Sequence, residues 1–224
     1  MTRRLAVLRP EPGNAATIGR ADAAGFATLS LPLFAVQALA WEVPSAAAFD
    51  AVILTSANAV RFAGARLRDV TGLPVLAVGP HTAAAARAAG FDVMATGGGD
   101  GAEIAALALA QGISRALHLT GRDRTLAVGG VIAAVIPVYE SAPVPVASDA
   151  LQGLIGATAL LHSARAARRL GELLDSAGID RARVAIAAFS PAIAAAAASG
   201  WAGIASATAP DDAALFVAAR SLAD

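Results

Sequence analysis

The chain contains no cysteine and no lysine. Without cysteine there can be no disulfide, no thiolate metal site and no cysteine nucleophile, and the absence fits reducing and oxidising compartments alike. Without lysine a P-loop cannot be completed. The 17 basic residues are therefore all arginine, a drift of composition across the whole chain, so an arginine count alone says little about sites. They are balanced by 17 acidic residues, which argues against a broad nucleic-acid surface and leaves only local basic clusters for an anionic ligand. Long hydrophobic runs are missing as well. The longest, Val184 to Ala198, is interrupted by Ser190 and Pro191 and built mainly of alanine, short of the roughly 20 strongly apolar residues of a membrane span. The opening MTRRLAVLRPEP is too short in apolar residues for the core of a signal peptide, so the expected location is the cytoplasm, with no membrane partner.

What is present is a repeat. From Phe49 to Phe91, FDAVILTSANAVRFAG and PVLAVGPHTAAAARAAGF each run from a short apolar strand through a polar turn into an alanine-rich helix. ATALLHSARAARRLG at 157–171 and RVAIAAFSPAIAAAAASG at 183–200 do the same. Thr55 and Ser56 then answer to His162 and Ser163, and Gly79 to Thr82 answer to Ala188 to Pro191. Repeated strand, turn and helix units imply an α/β fold with parallel sheets covered by helices. A chain of 224 residues carrying such a duplication is expected to form two similar flavodoxin-like domains of roughly 100 residues each.

Strands are expected at 5–8, 27–31, 51–54, 74–78, 92–95, 117–119 and 133–138. Helices are expected at 14–24, 57–68, 82–89 and 100–110, with Asp100 and Glu103 as a capping box for the last of these. A further short helix is expected in the cramped crossover after Arg124. SAPVPVAS from Ser141 reads as an extended linker, and residues 157–222 supply three more strand and helix units. Because residues 3–36 resemble 115–140, each half owns the same set of units. One domain should be continuous over 38–140. The other should combine 1–34 with 146–224, with crossings near 35–37 and 141–145.

In open parallel sheets ligands bind beyond the carboxyl ends of the strands. The turns Thr55 to Asn58, Gly79 to Thr82, Thr120 to Arg124 and His162 to Arg165 lie there, and helix N-termini in such turns favour carboxylates or phosphates. Ser56, Ser163, Thr82 and Ser190 read equally as plain helix caps. Tyr139, the only tyrosine, falls at a domain crossing, where it either packs at a strand end or offers its hydroxyl to a ligand. His81, His118 and His162 lack metal-ligand spacing, so no metal is expected. GGGDGAE at 97–103 is a poor dinucleotide fingerprint, since it does not follow the first strand of a two-strand unit.

Seven segments in order, LRPEP at 8–12, LPLF at 31–34, LTSANAV at 54–60, AVGPHTA at 77–83, LTGRDRTL at 119–126, PVYES at 137–141 and SPAIAAA at 190–196, resemble uroporphyrinogen-III synthases over nearly the full chain. The resemblance implies two α/β domains joined by a two-stranded connector, an active site in the cleft between them, and no cofactor. It implies that linear hydroxymethylbilane, a small molecule with eight carboxylates, is closed to uroporphyrinogen III with inversion of the last pyrrole ring and loss of water. Tyr139 matches the family's cleft tyrosine, Thr82 its threonine after the central strand, and Ser56 and Ser163 its strand-end serines. Thr55, Ser190, Arg9, Gly121, Arg122 and Arg124 complete the expected substrate site of a monomer that binds no nucleic acid. SPAI stands where many relatives have glycine, proline and paired threonines, which leaves Ser190 as the hydroxyl of that turn. A non-catalytic two-domain module binding a small anion or a tetrapyrrole is the alternative reading.

Overall fold

The computed structural model describes residues 3–43, 45–98, 101–123 and 126–222. In chain order the elements are β1 (Leu5–Val7), α1 (Gly13–Ala23), β2 (Thr28–Ser30), β3 (Phe34–Ala38), β4 (Ala51–Leu54), α2 (Ala57–Phe62), β5 (Val75–Ala77), α3 (Pro80–Ala88), β6 (Val93–Thr96), α4 (Gly101–Ala110), β7 (Ala116–Gly121), β8 (Ile132–Pro143), α5 (Ser148–Gln152), β9 (Thr158–Leu161), α6 (Ala164–Ser176), β10 (Ala185–Ala188), α7 (Pro191–Ala196), β11 (Gly203–Ser206) and α8 (Asp212–Arg220). Contacts group them into two compact units, the first made of Met1–Ala35 with Ala142–Asp224 and the second of Val36–Ser141.

The first sheet has the order β11-β10-β9-β1-β2 and the second β3-β8-β7-β4-β5-β6. Numbered within its own unit, the first sheet runs 2-1-3-4-5, the order of doubly wound nucleotide-binding folds. In the second, β4, β5 and β6 take the places of β9, β10 and β11, while β7 and β8 take those of β1 and β2. The repeat is thus circularly permuted between the units. Every described residue of β1, β4, β5, β7, β9 and β10 is buried, as strands covered on both faces by helices must be.

Alternate residues feed opposite cores. In the first unit Ala6, Ala159, Leu161 and Ile186 face one side, and Leu5, Val7, Leu160 and Ala187 the other. In the second unit Val52, Leu54, Leu117 and Leu119 face one side, and Ala51, Ile53, Leu76 and Ala116 the other. Helices follow the same logic: α6 buries Ala166, Ala167, Leu170, Gly171 and Leu174, a stripe with steps of three and four residues.

Four expectations change. The helix expected over 57–68 ends at Phe62 because Gly64 takes a left-handed φ of 69°, and a 3₁₀ segment, Gly64–Val70, follows. The crossover after Arg124 shows no helix among its described residues. Its span, 122–131, must return along the six-residue β7, about 20 Å at 3.3 Å per residue. Wound as a helix it would reach only about 15 Å. β8 runs through Pro143, so the start of SAPVPVAS is strand, with proline at its end where no ladder N–H is needed. Finally, Gly79 is followed by Pro80 and Ser190 by Pro191 as cap and first residue of α3 and α7. Gly79 therefore answers to Ser190, two positions away from the alignment drawn on sequence alone. Asp100 and Arg124 lie outside the described residues; Glu103, the other half of the expected capping box, accepts a hydrogen bond from the Gly98 N–H at 2.9 Å.

Two strands cross the boundary between the units. Leu39 N–H donates to Val138 O, Gln37 to the Glu140 carboxylate, and Val144 N–H to Leu33 O, partners that run in opposite senses as in an antiparallel ribbon. Arg169, on α6, donates to Leu33 O and Val144 O at 3.1 and 2.6 Å, fixing both strands at their first-unit ends. Because the second unit is continuous in sequence and owns both its cores, we propose that 36–141 folds alone. Expressed by itself it should show a mixed helix and sheet circular dichroism spectrum and a cooperative melt; a disordered spectrum without a transition refutes it.

Candidate functional site

Strand ends become site residues when the turn that follows must both cap a helix and face solvent. In the second unit β4 ends in Thr55 and Ser56. Ser56 Oγ accepts from Asn58 N–H at 3.2 Å and caps α2, worth about 1 kcal/mol to the helix. Thr55 Oγ1 lies 3.1 Å from Nε2 of His118, a buried histidine on the adjacent β7. Its ring is held inside the sheet.

Thr82 is different. The cap of α3 is Gly79, which offers no side chain, so Thr82 is not a cap. Its residue is 6% exposed, and its hydroxyl makes no hydrogen bond to a described residue.

Tyr139 sits on β8 opposite Gly121 of β7. A Cβ on Gly121 would stand 2.8 Å from Tyr139 Cζ and 3.0 Å from its hydroxyl oxygen, so only glycine lets the ring lie flat on this strand end. Phe62 holds it from another direction, with ring centroids 6.3 Å apart. The Tyr139 carbonyl accepts from Arg122 N–H at 2.9 Å. The phenolic hydroxyl bonds to no described residue, so the ring is fixed and its donor is left over. The Arg122 guanidinium pairs with Glu140 at 2.8 Å, so this arginine serves its own sheet. Of the residues expected at the site, Tyr139, Gly121 and the Arg122 backbone are brought together here.

In the first unit Ser163 caps α6 through Ala166 N–H at 3.2 Å, and Ser190 caps α7 through Ile193 N–H at 3.3 Å. Both serines thus have structural roles as caps. Arg9 follows β1 after Leu8 and His162 follows β9 directly, the two strands between which the sheet order reverses. They belong to a polar cluster that sequence reading did not reach. Asp212, the first residue of α8, is 6% exposed. It accepts from Thr17 Oγ1 at 2.8 Å, from Arg20 Nε at 2.8 Å and Arg20 Nη2 at 2.5 Å, and its other oxygen lies 3.3 Å from His162 Nε2.

Burial would raise the Asp212 pKa, but the hydrogen bonds from Arg20 and Thr17 and the charge of Arg20 outweigh it and the carboxyl is held below its ordinary value. His162 is pushed down to about 4, first by burial and then by the Arg9 charge, against the pull of Asp212. At neutral pH the ring is therefore uncharged. It packs edge-on to Phe189, centroids 4.4 Å apart. The partners Thr17 and Asp212 are separated by 195 positions, so no motif spacing could reveal them; the only trace in the sequence is the aspartate pair opening the last helix.

Among the described residues no group of three or more histidine, aspartate or glutamate side chains could hold a metal ion, and no helix is long and apolar enough to cross a membrane. The family model described as uroporphyrinogen-III synthase HemD matches residues 15–216. A search of curated proteins gives no match. Among solved structures, the chain is similar to the Helicobacter pylori uroporphyrinogen-III synthetase at a TM-score of 0.63 and 17% identity, covering 98% of this chain and 99% of that one. A mutant uroporphyrinogen III synthase of Thermus thermophilus is similar at a TM-score of 0.51 and 18% identity, covering 98% of each. At such identities these likenesses speak for the fold, while the family rests on the sequence model.

Proposed function

The chain belongs to the uroporphyrinogen-III synthase family, and from that premise we propose that Tyr139 is the proton donor of its reaction and that Thr82, Thr55 and Arg9 bind its substrate. The family's reaction is a cyclisation in haem biosynthesis: hydroxymethylbilane loses its terminal hydroxyl as water and closes with the last pyrrole ring inverted. A phenol held at a strand end with no partner for its hydroxyl among the described residues is the observation that carries the assignment of Tyr139.

Departure of the hydroxyl needs one proton, which the phenol can donate as the carbon–oxygen bond breaks; a phenol is a weak acid in water, so its help is modest in kind and depends on placement. The carbon left behind is electrophilic. It is attacked at a substituted position of the last ring to give a spiro intermediate, which reopens and recloses with that ring turned over. The released proton balances the one the phenol gave. What the protein must supply beyond the proton is a substrate shape in which this route outruns simple end-to-end closure, and that is a matter of proximity and orientation. Helix N-termini at the strand ends and the Arg9 guanidinium suit the substrate's carboxylates. We place the enzyme in the cytoplasm as a monomer acting on a small molecule, without nucleic acid.

The test is product analysis with hydroxymethylbilane, separating the type III isomer from the type I isomer that forms without enzyme. Only type I product would refute the function. Thr82→Ala is expected to weaken substrate affinity by about 1 kcal/mol, the size of one neutral hydrogen bond, with turnover unchanged and the melting temperature lowered only by the lost methyl, because the hydroxyl bonds to no described residue. Steady-state kinetics beside a thermal melt checks this, and a lowered melting temperature with unchanged affinity would make Thr82 a packing residue.

A further inference from the structure

The charges around Arg9 are sorted in an unusual way. Its guanidinium lies against the start of α1, where a Cβ on Gly13 would come 2.4 Å from Nε and 2.8 Å from Cζ; glycine makes the room. Asn14, 1% exposed, secures the same turn by donating to Val7 O and Arg9 O at 2.8 and 3.1 Å while accepting from Ser30 Oγ at 2.8 Å. The Arg9 backbone is thus locked from two strands. Its side chain makes a single hydrogen bond, from Nη1 to Thr17 Oγ1 at 3.4 Å, and no carboxylate of a described residue lies within ion-pair distance.

Glu11, Asp211 and Asp212 each accept hydrogen bonds from other groups. Glu11 accepts from Ala15 N–H at 3.1 Å, Asp211 from Ala214 N–H at 2.8 Å, and Asp212 from Thr17, Arg20 and His162. Asp212 and Arg20 cancel each other and His162 is neutral, so the cluster carries one unbalanced positive charge, on Arg9. A half-buried cation that its own fold leaves unpaired loses hydration without compensation, unless a ligand supplies the anion. Thr17, fully buried, links the two halves: it donates its only proton to Asp212, so the oxygen it turns towards Arg9 can only accept.

We propose that Asp212 is a positioning residue that, through Thr17, aims Arg9 at the carboxyl end of β1 to receive one carboxylate of the linear tetrapyrrole. Asp212 fixes the direction of the Thr17 hydroxyl and takes Arg20 as its own counter-ion, which keeps both arginines from competing for one partner. The inference rests on the synthase reading above, since it names the substrate of that site.

The experiment is a double-mutant cycle in the full chain, read both as KM for hydroxymethylbilane and as Kd for uroporphyrin I, a stable octacarboxylate whose binding needs no turnover. Arg9→Gln should raise both constants about 10- to 100-fold, the span of a charge-assisted hydrogen bond, with kcat little changed. Thr17→Val, which keeps the volume and removes the link, and Asp212→Asn should each raise KM in the same direction. Combined with Arg9→Gln neither should add anything, because the residue they aim is already gone. Additive effects, or an unchanged KM and Kd for Arg9→Gln, overturn the proposal while the synthase reading stands. A wild-type chain that makes no type III product overturns that reading instead, and the uroporphyrin arm still decides whether Arg9 takes a carboxylate. Should Asp212→Asn fail to fold, Thr17→Val carries the cycle.

Discussion

Tyr139→Phe is expected to lower turnover by roughly 10²- to 10⁴-fold, the usual span for general acid assistance, while the product remains the type III isomer. The substitution keeps the ring, and the ring is what the fold holds: it lies on Gly121 and against Phe62. Only the hydroxyl goes, and it bonds to no described residue, so stability should be untouched. Product identity should survive because ring inversion follows from the bound shape of the substrate, set by carboxylate contacts that this change leaves alone. Steady-state kinetics with both isomers quantified decides the matter. Unchanged turnover would take the phenol out of the chemistry and leave the enzyme as a mould for an intrinsically reactive substrate.

Gly121→Ala should come close to the same loss by a different route. The added methyl would sit 2.8 Å from Cζ, 2.9 Å from Cε2 and 3.0 Å from the hydroxyl oxygen of Tyr139, inside the distance carbon atoms tolerate. The two backbones cannot separate to relieve this, since β7 and β8 pair through this register and Arg122 N–H holds Tyr139 O. The ring must therefore swing off its seat and carry the hydroxyl with it. A displacement near 1 Å can cost about 10²-fold in rate, so a fall of roughly that size or more is expected, in a protein that still folds. Adding Tyr139→Phe to Gly121→Ala should then do little further, because both remove one function. Full activity in Gly121→Ala would mean that the seat of the ring is not part of the mechanism.

The alternation of apolar strands and polar turns was enough to place the strands, since a buried strand must read as an apolar run and its turn must carry a cap: Ala51–Leu54 with Ser56, and Thr158–Leu161 with Ser163, are visible as such. Helix ends that depend on one glycine angle, as at Gly64, are not. Nor is a crossover whose geometry depends on the strand it must run back along, as after Gly121. Of the proposed site residues, Tyr139 stands out in the sequence as the only tyrosine and Thr82 by its place in a turn. Whether a hydroxyl is left over is not a sequence property: Ser56, Ser163 and Ser190 turn out to be bonded as caps and Thr82 does not. The Asp212 cluster was invisible because its members come from three distant stretches, and nothing in a sequence says which carboxylate an arginine will find. Arg122 shows the same limit, its guanidinium drawn to Glu140.

The permuted strand order also has a consequence for how the chain is made. β1 pairs with β9 through Leu5 and Thr158, so during synthesis it waits for one of its two sheet neighbours until all the sequence between them has been made. At roughly 5 to 20 residues per second that wait lasts about 8 to 30 s, and during it one side of β1 is left unpaired. The second unit has no such debt to later sequence, for β4 to β8 emerge as a continuous set. Folding should therefore run inside out, with the inserted unit closing first and β1 and β2 left with an open side until β9 arrives.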